Sequence, residues 1–494
     1  MDSKAPTPPA QAPAAPPMTP LLAAFVKAPD PEAAFFSQCR ELIEAARGDG
    51  RRERGEGPLR LLLVGYSGAG NTGADVRVAE IVRQVHTIFG RGQIELGVTL
   101  IRKAEADKLF PNTTPELATG HFVDFLDRIS PAYDGMLACE GSMFKSKNSN
   151  IFSGLMGAAL GLAAARGRLA VGYGADVGPM EPILHDFIQG LGRDPLMICR
   201  SPESTALLEA MNLRAATGAD TAWTFDPAPA ERADAILRGL GWNGAQKLLI
   251  ACPVNAFWWP VRANMRLYQE MEATGAHKDI HYGKMFFHSD SPGRRESYRR
   301  YLKAFTQAVT AWRGRTGGMA LMVGMERIDA AACADLASML PGGAPKLLSG
   351  ERPMQEIVAV LRRADLLVSS RYHAIVTSMP GLIPAVGVSM DERIANLLGG
   401  FGAASRVLQV DDPGLGDKLV AAMAQVEANA DEIRAVTGRE VARQLRAMGE
   451  MGRLFAAETR RVYPDIKIPD EKSAFDRYLP DMQPNLTRLL QDHG

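Results

Sequence analysis

Short apolar runs alternate with segments of helical spacing between residues 59 and 225. Runs of about five residues rich in Leu, Val and Ile are typical of strands that are buried on both faces of a parallel sheet. The predicted strands of this half are 59–64, 94–101, 135–139, 169–172 and 196–199. Because repeated β-α-β units connect parallel strands by right-handed crossovers, the pattern predicts a doubly wound sheet with helices on both faces.

The same alternation returns in the second half of the chain. Residues 255–296 interrupt it with aromatic and histidine side chains at no regular spacing, which predicts an irregular insertion. The fold class predicted for the chain is α/β, with two Rossmann-like domains facing each other across a cleft (GT-B-like) and C-terminal helices. The predicted strands of this half are 247–251, 319–323, 346–348, 366–368, 385–388 and 407–410.

The predicted organisation has six segments. The first begins with a Pro/Ala-rich stretch that has the composition of a disordered tail and lacks the apolar core of a secretory signal. The boundaries are 1–57 for this tail and a short helix, 58–225 for the N-terminal domain, 226–246 for a linker, 247–410 for the C-terminal domain, 411–463 for the C-terminal helices and 464–494 for a polar tail.

Composition narrows the class of protein. The chain has 494 residues with 56 basic and 56 acidic side chains, so no strong field favours nucleic acid or an anionic membrane. Its five cysteines are far apart and form no C-x-x-C pair, which is typical of free thiols in a reducing compartment and predicts a cytoplasmic protein. The apolar stretch 151–165 is shorter than the roughly 20 residues that span a bilayer, so it is predicted to be a buried helix packed on a sheet.

Two predicted strands of the second half end in polar tips. Strand 366–368 is followed by Ser369-Ser370-Arg371-Tyr372-His373, and strand 385–388 by Asp391, Glu392 and Arg393. Ligands of parallel α/β sheets bind at the carboxyl ends of the strands. Arginine can hold a carboxylate or phosphate, and a histidine with a pKa of about 6.5 can transfer a proton near neutral pH. The alternatives are that Arg371 is a structural salt-bridge partner between the domains and that Arg393 is a solvated helix residue.

A glycine-rich loop, Gly65–Gly73, joins the first strand to a predicted helix. Strand, loop and helix in this order can offer backbone N–H groups and a helix N-terminus to an anion. The spacing matches neither G-x-G-x-x-G nor a P-loop. A tight turn without a ligand is therefore the alternative.

The insertion 255–296 carries aromatic side chains that are candidates to line the cleft, stack on a sugar or form a lid: Phe257, Trp258, Trp259 and Tyr282. Core packing and a partner interface are the alternatives. Three histidines, His277, His281 and His288, lack a carboxylate or Cys that would complete a zinc site, so no metal is predicted.

Four segments together resemble the polysaccharide pyruvyl transferase family. Residues 369–394 contain S-R-x-H followed by G-L-I-P and a strand, as in the C-terminal signature of that family. Gly65–Gly73 is similar to its G-Y-x-G-x-G-N-x-G-D opening, and Glu140–Phe144 to its G-G-G-S-L-F segment. Arg200–Ser204 and Gly218–Asp220 are similar to its R-D-x-x-S and A-D-P segments. The likeness covers about residues 59–400.

The resemblance implies transfer of pyruvate from phosphoenolpyruvate to a hydroxyl pair of a sugar, as a ketal, in exopolysaccharide biosynthesis. It implies no cofactor, since phosphoenolpyruvate is the donor substrate. The implied partners are a small-molecule donor in the C-terminal domain and a sugar or lipid-linked glycan acceptor, without nucleic acid or a membrane span; peripheral membrane association and the oligomeric state stay open. The implied catalytic residues are His373 and Arg371, and the implied substrate-binding residues are Gly70, Asn71, Gly73, Asp75, Glu140, Ser142, Asn255, Ser370 and Arg393.

The chain departs from the family pattern at several positions. Ala74 is inserted before Asp75, Glu140 replaces a glycine, and Asn255 stands where the strand usually ends in arginine. Arg393 stands where lysine is frequent. Two alternative functions stay open: a nucleotide-sugar-dependent glycosyltransferase of the same two-domain shape, and a non-catalytic glycan-binding relative, which Asn255 and Glu140 favour.

Overall fold

The computed structural model describes residues 19–48, 54–102, 109–118, 121–274, 285–468 and 474–493. Within them the chain forms two parallel sheets and one small antiparallel sheet of two strands. The strands are β1 (Leu59–Val64), β2 (Ile94–Leu100), β3 (Thr114–Leu117), β4 (Gly135–Ala138), β5 (Leu169–Ala175), β6 (Leu196–Cys199), β7 (Arg214–Thr217), β8 (Leu248–Cys252), β9 (Val261–Ala263), β10 (Phe286–His288), β11 (Met319–Gly324), β12 (Lys346–Leu348), β13 (Leu366–Ser369), β14 (Ala385–Ser389) and β15 (Val407–Gln409).

Helices cover both faces of the sheets. The C-terminal helices, which follow the second domain in the chain, return to contact the first domain. The described helices are α1 (Pro20–Lys27), α2 (Pro31–Gly48), α3 (Thr72–Phe89), α4 (Phe122–Ile129), α5 (Asn150–Ala165), α6 (Pro182–Gln189), α7 (Pro202–Ala210), α8 (Ala230–Gly239), α9 (Met265–Thr274), α10 (Pro292–Thr316), α11 (Asp329–Met339), α12 (Met354–Leu361), α13 (Tyr372–Ser378), α14 (Glu392–Gly399), α15 (Leu415–Ala428), α16 (Ala430–Val462) and α17 (Pro484–Asp492). None of them is both long and apolar enough to cross a membrane.

The first sheet has the strand order β3-β2-β1-β4-β5-β6-β7, and the second has β12-β11-β8-β13-β14-β15. All pairings within the two sheets are parallel, with β1 beside β4 and β8 beside β13 at their centres. Helices connect most of the consecutive strands of each sheet, which gives two Rossmann-like domains. The predicted fold class is therefore confirmed, including the C-terminal helices.

Two edge strands escaped the sequence analysis. β3 reads TPEL and β7 reads RAAT, and neither has an apolar run, because an edge strand keeps one side exposed to solvent. Residues 226–246, predicted to link the domains, contain α8.

The apolar segment 151–165 forms α5, a buried helix that packs on β4 and β5 as well as on α2. Its glycines face neighbouring helices: a Cβ at Gly154 would lie 2.6 Å from the Phe35 ring. The close packing predicted for this helix is thus directed at α2 as well as at the sheet.

The C-terminal region contacts both domains. α16 packs Phe455 against Phe89 and Tyr173 of the first domain, with ring centroids 5.5 and 5.1 Å apart. Residues 474–493 of the predicted polar tail pack on the helical layer, because Tyr478 and Leu486 are fully buried there. Leu479 is buried as well, and Phe475, Met482, Leu489 and Leu490 pack against the same cluster.

The insertion 255–296 is not irregular throughout. Its described residues include α9 and the two-stranded sheet of β9 and β10. Residues 275–284, with His277, His281 and Tyr282, lie outside the described part of the chain. This two-stranded sheet contacts the first domain, since the Val261 N–H donates to the Asn148 carbonyl over 2.9 Å. Arg262 adds an ion pair with Glu32 at 3.0 Å.

Candidate functional site

The carboxyl ends of the two sheets face each other across a cleft. Two cavities lie there, with empty volumes of about 740 and 470 Å³, and they share five lining residues. β4 contributes Glu140 and Ser142 just beyond its end, β13 contributes Arg371, and β14 is followed by Arg393. The fifth shared residue, Asn71, caps the start of α3, where its side-chain oxygen accepts the Ala74 N–H over 3.1 Å.

Most residues predicted for the site meet at the smaller cavity. Eight of the eleven line it: Asn71, Gly73, Glu140, Ser142, Ser370, Arg371, His373 and Arg393. The other three, Gly70, Asp75 and Asn255, do not line either cavity. Segments separated by up to about 300 residues in the sequence therefore converge as the motif order predicted.

The glycine loop joins the two domains. The Thr72 N–H donates to the Met325 carbonyl over 2.8 Å, and the Arg327 N–H donates to the Gly70 carbonyl over 3.0 Å. Gly70 has a φ of +79°, and a Cβ there would lie 2.6 Å from the Arg327 side chain. The Thr72 N–H and the Gly70 carbonyl therefore form an interdomain contact, and the anion cradle at this loop stays a prediction.

Asp75 and Asn255 also have local roles. The Asp75 carboxylate accepts the Gly68 N–H over 2.7 Å, and burial raises its pKa to about 7. The Asn255 side chain accepts the Phe257 N–H over 3.2 Å and caps the short helical turn 256–258. Each of these two side chains orders its own loop, and their placement at a substrate stays a prediction.

Arg371 is held by two buried carboxylates of its own domain. Its Nε lies 2.9 Å from Asp329 Oδ2, and its Nη2 lies 2.8 Å from Glu326 Oε2. Arg371 is therefore already paired within its domain, and its role in holding an anionic donor stays a prediction. Sequence reasoning could not find these partners, since Glu326 and Asp329 follow β11 and carry no motif of their own.

Arg393 connects the two walls of the cleft. Its Nε lies 2.9 Å from both oxygens of Asp391, and its Nη1 donates to Ser142 Oγ of the first domain over 3.0 Å. Although burial acts in the opposite direction, Arg393 and Lys145 hold the pKa of Asp391 well below its usual range. The solvated alternative for Arg393 does not apply, because its side chain is largely buried.

His373 belongs to a buried ionic cluster. Its Nε2 lies 3.3 Å from Oδ2 of Asp220, which also lies 3.2 Å from Arg77 Nε and 3.0 Å from Arg200 Nη1. Burial lowers the pKa of His373 to about 4; Asp220 opposes this shift, and the positive charges of Arg200 and Arg77 add to it. His373 is thus neutral near pH 7 in the folded protein, and its role as the proton donor stays a prediction.

This pKa predicts how stability depends on pH. Between pH 6.5 and about 4 the histidine is protonated in the unfolded chain and neutral in the folded one, so stability falls as the pH is lowered through that window. In the His373→Asn variant we expect the free energy of unfolding to depend less steeply on pH, by up to about 1.4 kcal/mol per pH unit. Urea unfolding at several pH values between 4 and 7.5 measures it, with the exposed His185→Asn as control. Equal slopes in all three proteins would contradict the assignment.

A second buried cation also bridges the domains. Lys145, which follows the Glu140–Phe144 segment, is fully buried and lies 2.9 Å from Asp176 and 2.5 Å from Glu392 of the second domain. Neither Lys145 nor Arg77 was a candidate from the sequence, because a single basic residue near a strand end is not distinctive.

An aromatic wall lines the larger cavity. Of the predicted aromatic residues Trp259 lies in it, whereas Trp258 stacks on His288 with centroids 5.0 Å apart. Within the described residues no group of three or more metal-ligating side chains occurs. The wall consists of Tyr66, Phe122, Phe152, Trp259 and Phe286, and Val261 also lines this cavity.

No protein-family model and no curated protein matches the chain. Solved structures are similar in fold. A putative UDP-N-acetylglucosamine 2-epimerase from Listeria monocytogenes has a TM-score of 0.50 and 9% identity, over 84% of this chain and 99% of that one. S. aureus MnaA in a co-structure with UDP has a TM-score of 0.50 and 8% identity, over 84% and 100%. At such identities the similarity establishes the two-domain GT-B fold alone.

Proposed function

We propose that the chain is an enzyme of glycan biosynthesis that transfers a sugar from a nucleotide-sugar donor to a hydroxyl acceptor bound in the cleft. Its fold supports this proposal, because the two similar proteins named above are described as a UDP-sugar epimerase and as a complex with UDP. In open α/β domains the crevice at the strand ends is also the usual place for such ligands.

The larger cavity carries the proposal. Its aromatic wall fits the C–H face of a sugar ring, and amide and carboxylate groups opposite it fit sugar hydroxyls. The two cations among its described lining residues, Arg371 and Arg393, are each matched by a carboxylate. An uncharged sugar ring is therefore accommodated without breaking an ion pair.

Pyruvyl transfer from phosphoenolpyruvate is the second candidate. The observation that favours it is the convergence of eight predicted residues on the smaller cavity. An anionic donor has to be held in both candidates, since a nucleotide sugar carries a diphosphate, so the pairing of Arg371 with a carboxylate of its own domain does not separate them. The neutral state of His373 also means that another group would have to supply the proton to the enol methylene.

Calorimetric titration with UDP-N-acetylglucosamine and with phosphoenolpyruvate separates the candidates. We expect the nucleotide sugar to bind, and Trp259→Ala to weaken its Kd about 5- to 10-fold through loss of ring stacking. Trp259→Phe should restore most of the affinity, and Trp258→Ala should leave it unchanged. Binding and turnover of phosphoenolpyruvate alone would replace the first candidate by the second, and glycan binding without turnover of either donor would indicate a non-catalytic protein.

A further inference from the structure

We propose that Glu140 is the catalytic base of the cleft, taking the proton from the acceptor hydroxyl as that oxygen attacks the donor. This inference rests on the proposed transferase function and names the residue that activates its acceptor. The family that the sequence resembles has a glycine at this position, so the resemblance assigns no such role.

The position of Glu140 is the first argument. It follows β4, which lies between β1 and β5 at the centre of the first sheet, and it lines both cavities of the cleft. A group at their junction is in reach of an acceptor in the larger cavity and a donor group in the smaller one. Central strands are also the most rigid part of the domain, which keeps the carboxylate in place.

The orientation of the carboxylate is the second argument. Its Oε1 accepts the Gly141 N–H over 2.8 Å and the Ser142 N–H over 3.5 Å. Among the described residues its Oε2 accepts no hydrogen bond and is not among the buried polar atoms that lack a partner. One oxygen is thus anchored by the backbone while the other is available to a hydroxyl.

The other ionisable groups near the cleft are already engaged. Glu326, the second carboxylate among the lining residues, is paired with Arg371, whereas no cation of the described residues lies within ion-pair distance of Glu140. His373 is the obvious competitor, but its Nε2 faces Asp220 and its ring packs against Gly73. Glu140 is therefore the lining carboxylate that a substrate hydroxyl can use.

Burial raises the pKa of Glu140, whereas the positive charges of Arg77 and Arg200 act to lower it. A carboxylate with a raised pKa is a stronger base once it is ionised. The rate is therefore expected to rise with pH through this pKa. The titratable and charged groups around Glu140 on the surrounding elements are Asp75, Arg77, Arg200, Glu326, Arg371, His373 and Arg393.

The step balances as follows. The acceptor O–H bond breaks and its proton passes to Oε2 of Glu140, while the acceptor oxygen uses an electron pair to form a bond to C1 of the donor sugar. The bond between C1 and the phosphate oxygen breaks, and its electron pair leaves with the nucleoside diphosphate. With water in place of the acceptor, the same step hydrolyses the donor.

The test uses the full chain and UDP-N-acetylglucosamine with water as acceptor. We expect Glu140→Gln to bind this donor with a Kd within about threefold of wild type by calorimetry and to release UDP at least about 100-fold more slowly. The acidic limb of the wild-type pH–rate profile should be absent from this variant. Glu140→Asp should recover part of the rate, and the exposed Glu95→Gln serves as the control that keeps it. Thermal unfolding of each variant verifies that it is folded.

The outcomes separate the two proposals. If wild type and Glu140→Gln bind the donor and release UDP at equal rates, the role of Glu140 is overturned and the proposed function stands. If UDP-N-acetylglucosamine does not bind, the proposed function fails, and release of phosphate from phosphoenolpyruvate by the same variants decides the role of Glu140. Absence of turnover of both donors by the wild type overturns both proposals.

Discussion

Replacing Asp220 with asparagine is expected to lower the free energy of unfolding by about 3–5 kcal/mol. The Asp220 carboxylate is 1% exposed and faces Arg77 and Arg200, whose side chains are 0% and 3% exposed. Removing one partner of a buried ion pair leaves the other charge without compensation in a region of low dielectric constant, which costs more than the pair itself contributes.

Arg77 is expected to bear most of this cost. Its guanidinium also donates to the carbonyls of Cys139 over 2.6 Å and Gly174 over 2.8 Å, so it cannot turn towards solvent. Arg200 keeps a second carboxylate, Asp176, at 3.1 Å. The loss should therefore be largest for Asp220→Asn and smaller when Arg200 alone is replaced by Met.

Urea unfolding at pH 7 measures the effect of Asp220→Asn. The matched control is Asp465→Asn, because Asp465 pairs with Arg54 at 2.9 Å but is 71% exposed, and an exposed pair contributes at most about 1 kcal/mol. Burial opposes ionisation of Asp220, but Arg77, His373 and Arg200 hold its pKa well below the usual range. Its contribution is therefore complete above about pH 4 and decreases as the pH falls below it. Equal losses for the two asparagine variants would rule out a special role for the cluster.

Replacing Gly73 with alanine is expected to cost about 3 kcal/mol and to separate the two walls of the cleft. Gly73 lies in the first turn of α3, and a Cβ there would lie 2.4 Å from Nδ1 and 2.6 Å from Cβ of His373. The ring cannot move away easily, since its Nε2 faces Asp220. Alanine is otherwise the better helix former by about 1 kcal/mol, so any loss reports on the interdomain contact.

Two measurements check the Gly73→Ala variant. Urea unfolding gives the loss of stability, and small-angle X-ray scattering should show a larger radius of gyration than that of the wild type. Gly293→Ala is the control: this glycine lies at the start of α10 with no atom within 4 Å of an added Cβ, so the substitution should be neutral or slightly stabilising. A Gly73→Ala protein with the stability and dimensions of the control would refute the close contact.

Local patterns predicted the strands that are buried on both faces. Runs such as 61–64 and 366–368 are continuous and apolar because a central parallel strand meets helices on each side. β3 and β7 lie at the edges of the first sheet, where one side faces solvent and no apolar run is needed. Strands β9 and β10 have three residues each, too few for an alternation of apolar and polar residues to be recognised.

Motif order predicted which residues approach the cleft, because the carboxyl ends of parallel strands lie on one side of each sheet. It did not predict the state of those residues. Arg371 acquires Asp329 from the end of a different strand, and His373 acquires Asp220 from the other domain. Charge pairing and burial act through space, so neither the neutralisation of Arg371 nor the lowered pKa of His373 can be inferred from neighbours in the chain.

The sequence by itself therefore determined the two α/β domains and the set of strand-end residues that meet between them, since both depend on local periodicity and on the geometry of parallel sheets. Only the tertiary structure decided which of those residues are available for chemistry. The aromatic wall is assembled from separate segments. Arg371, Arg393 and His373 are held by buried partners. Glu140, which departs from the motif, lines the cleft with one oxygen bound by the backbone. The physical reason is that a buried charge must be compensated by whichever group the fold brings to it, wherever that group lies in the chain.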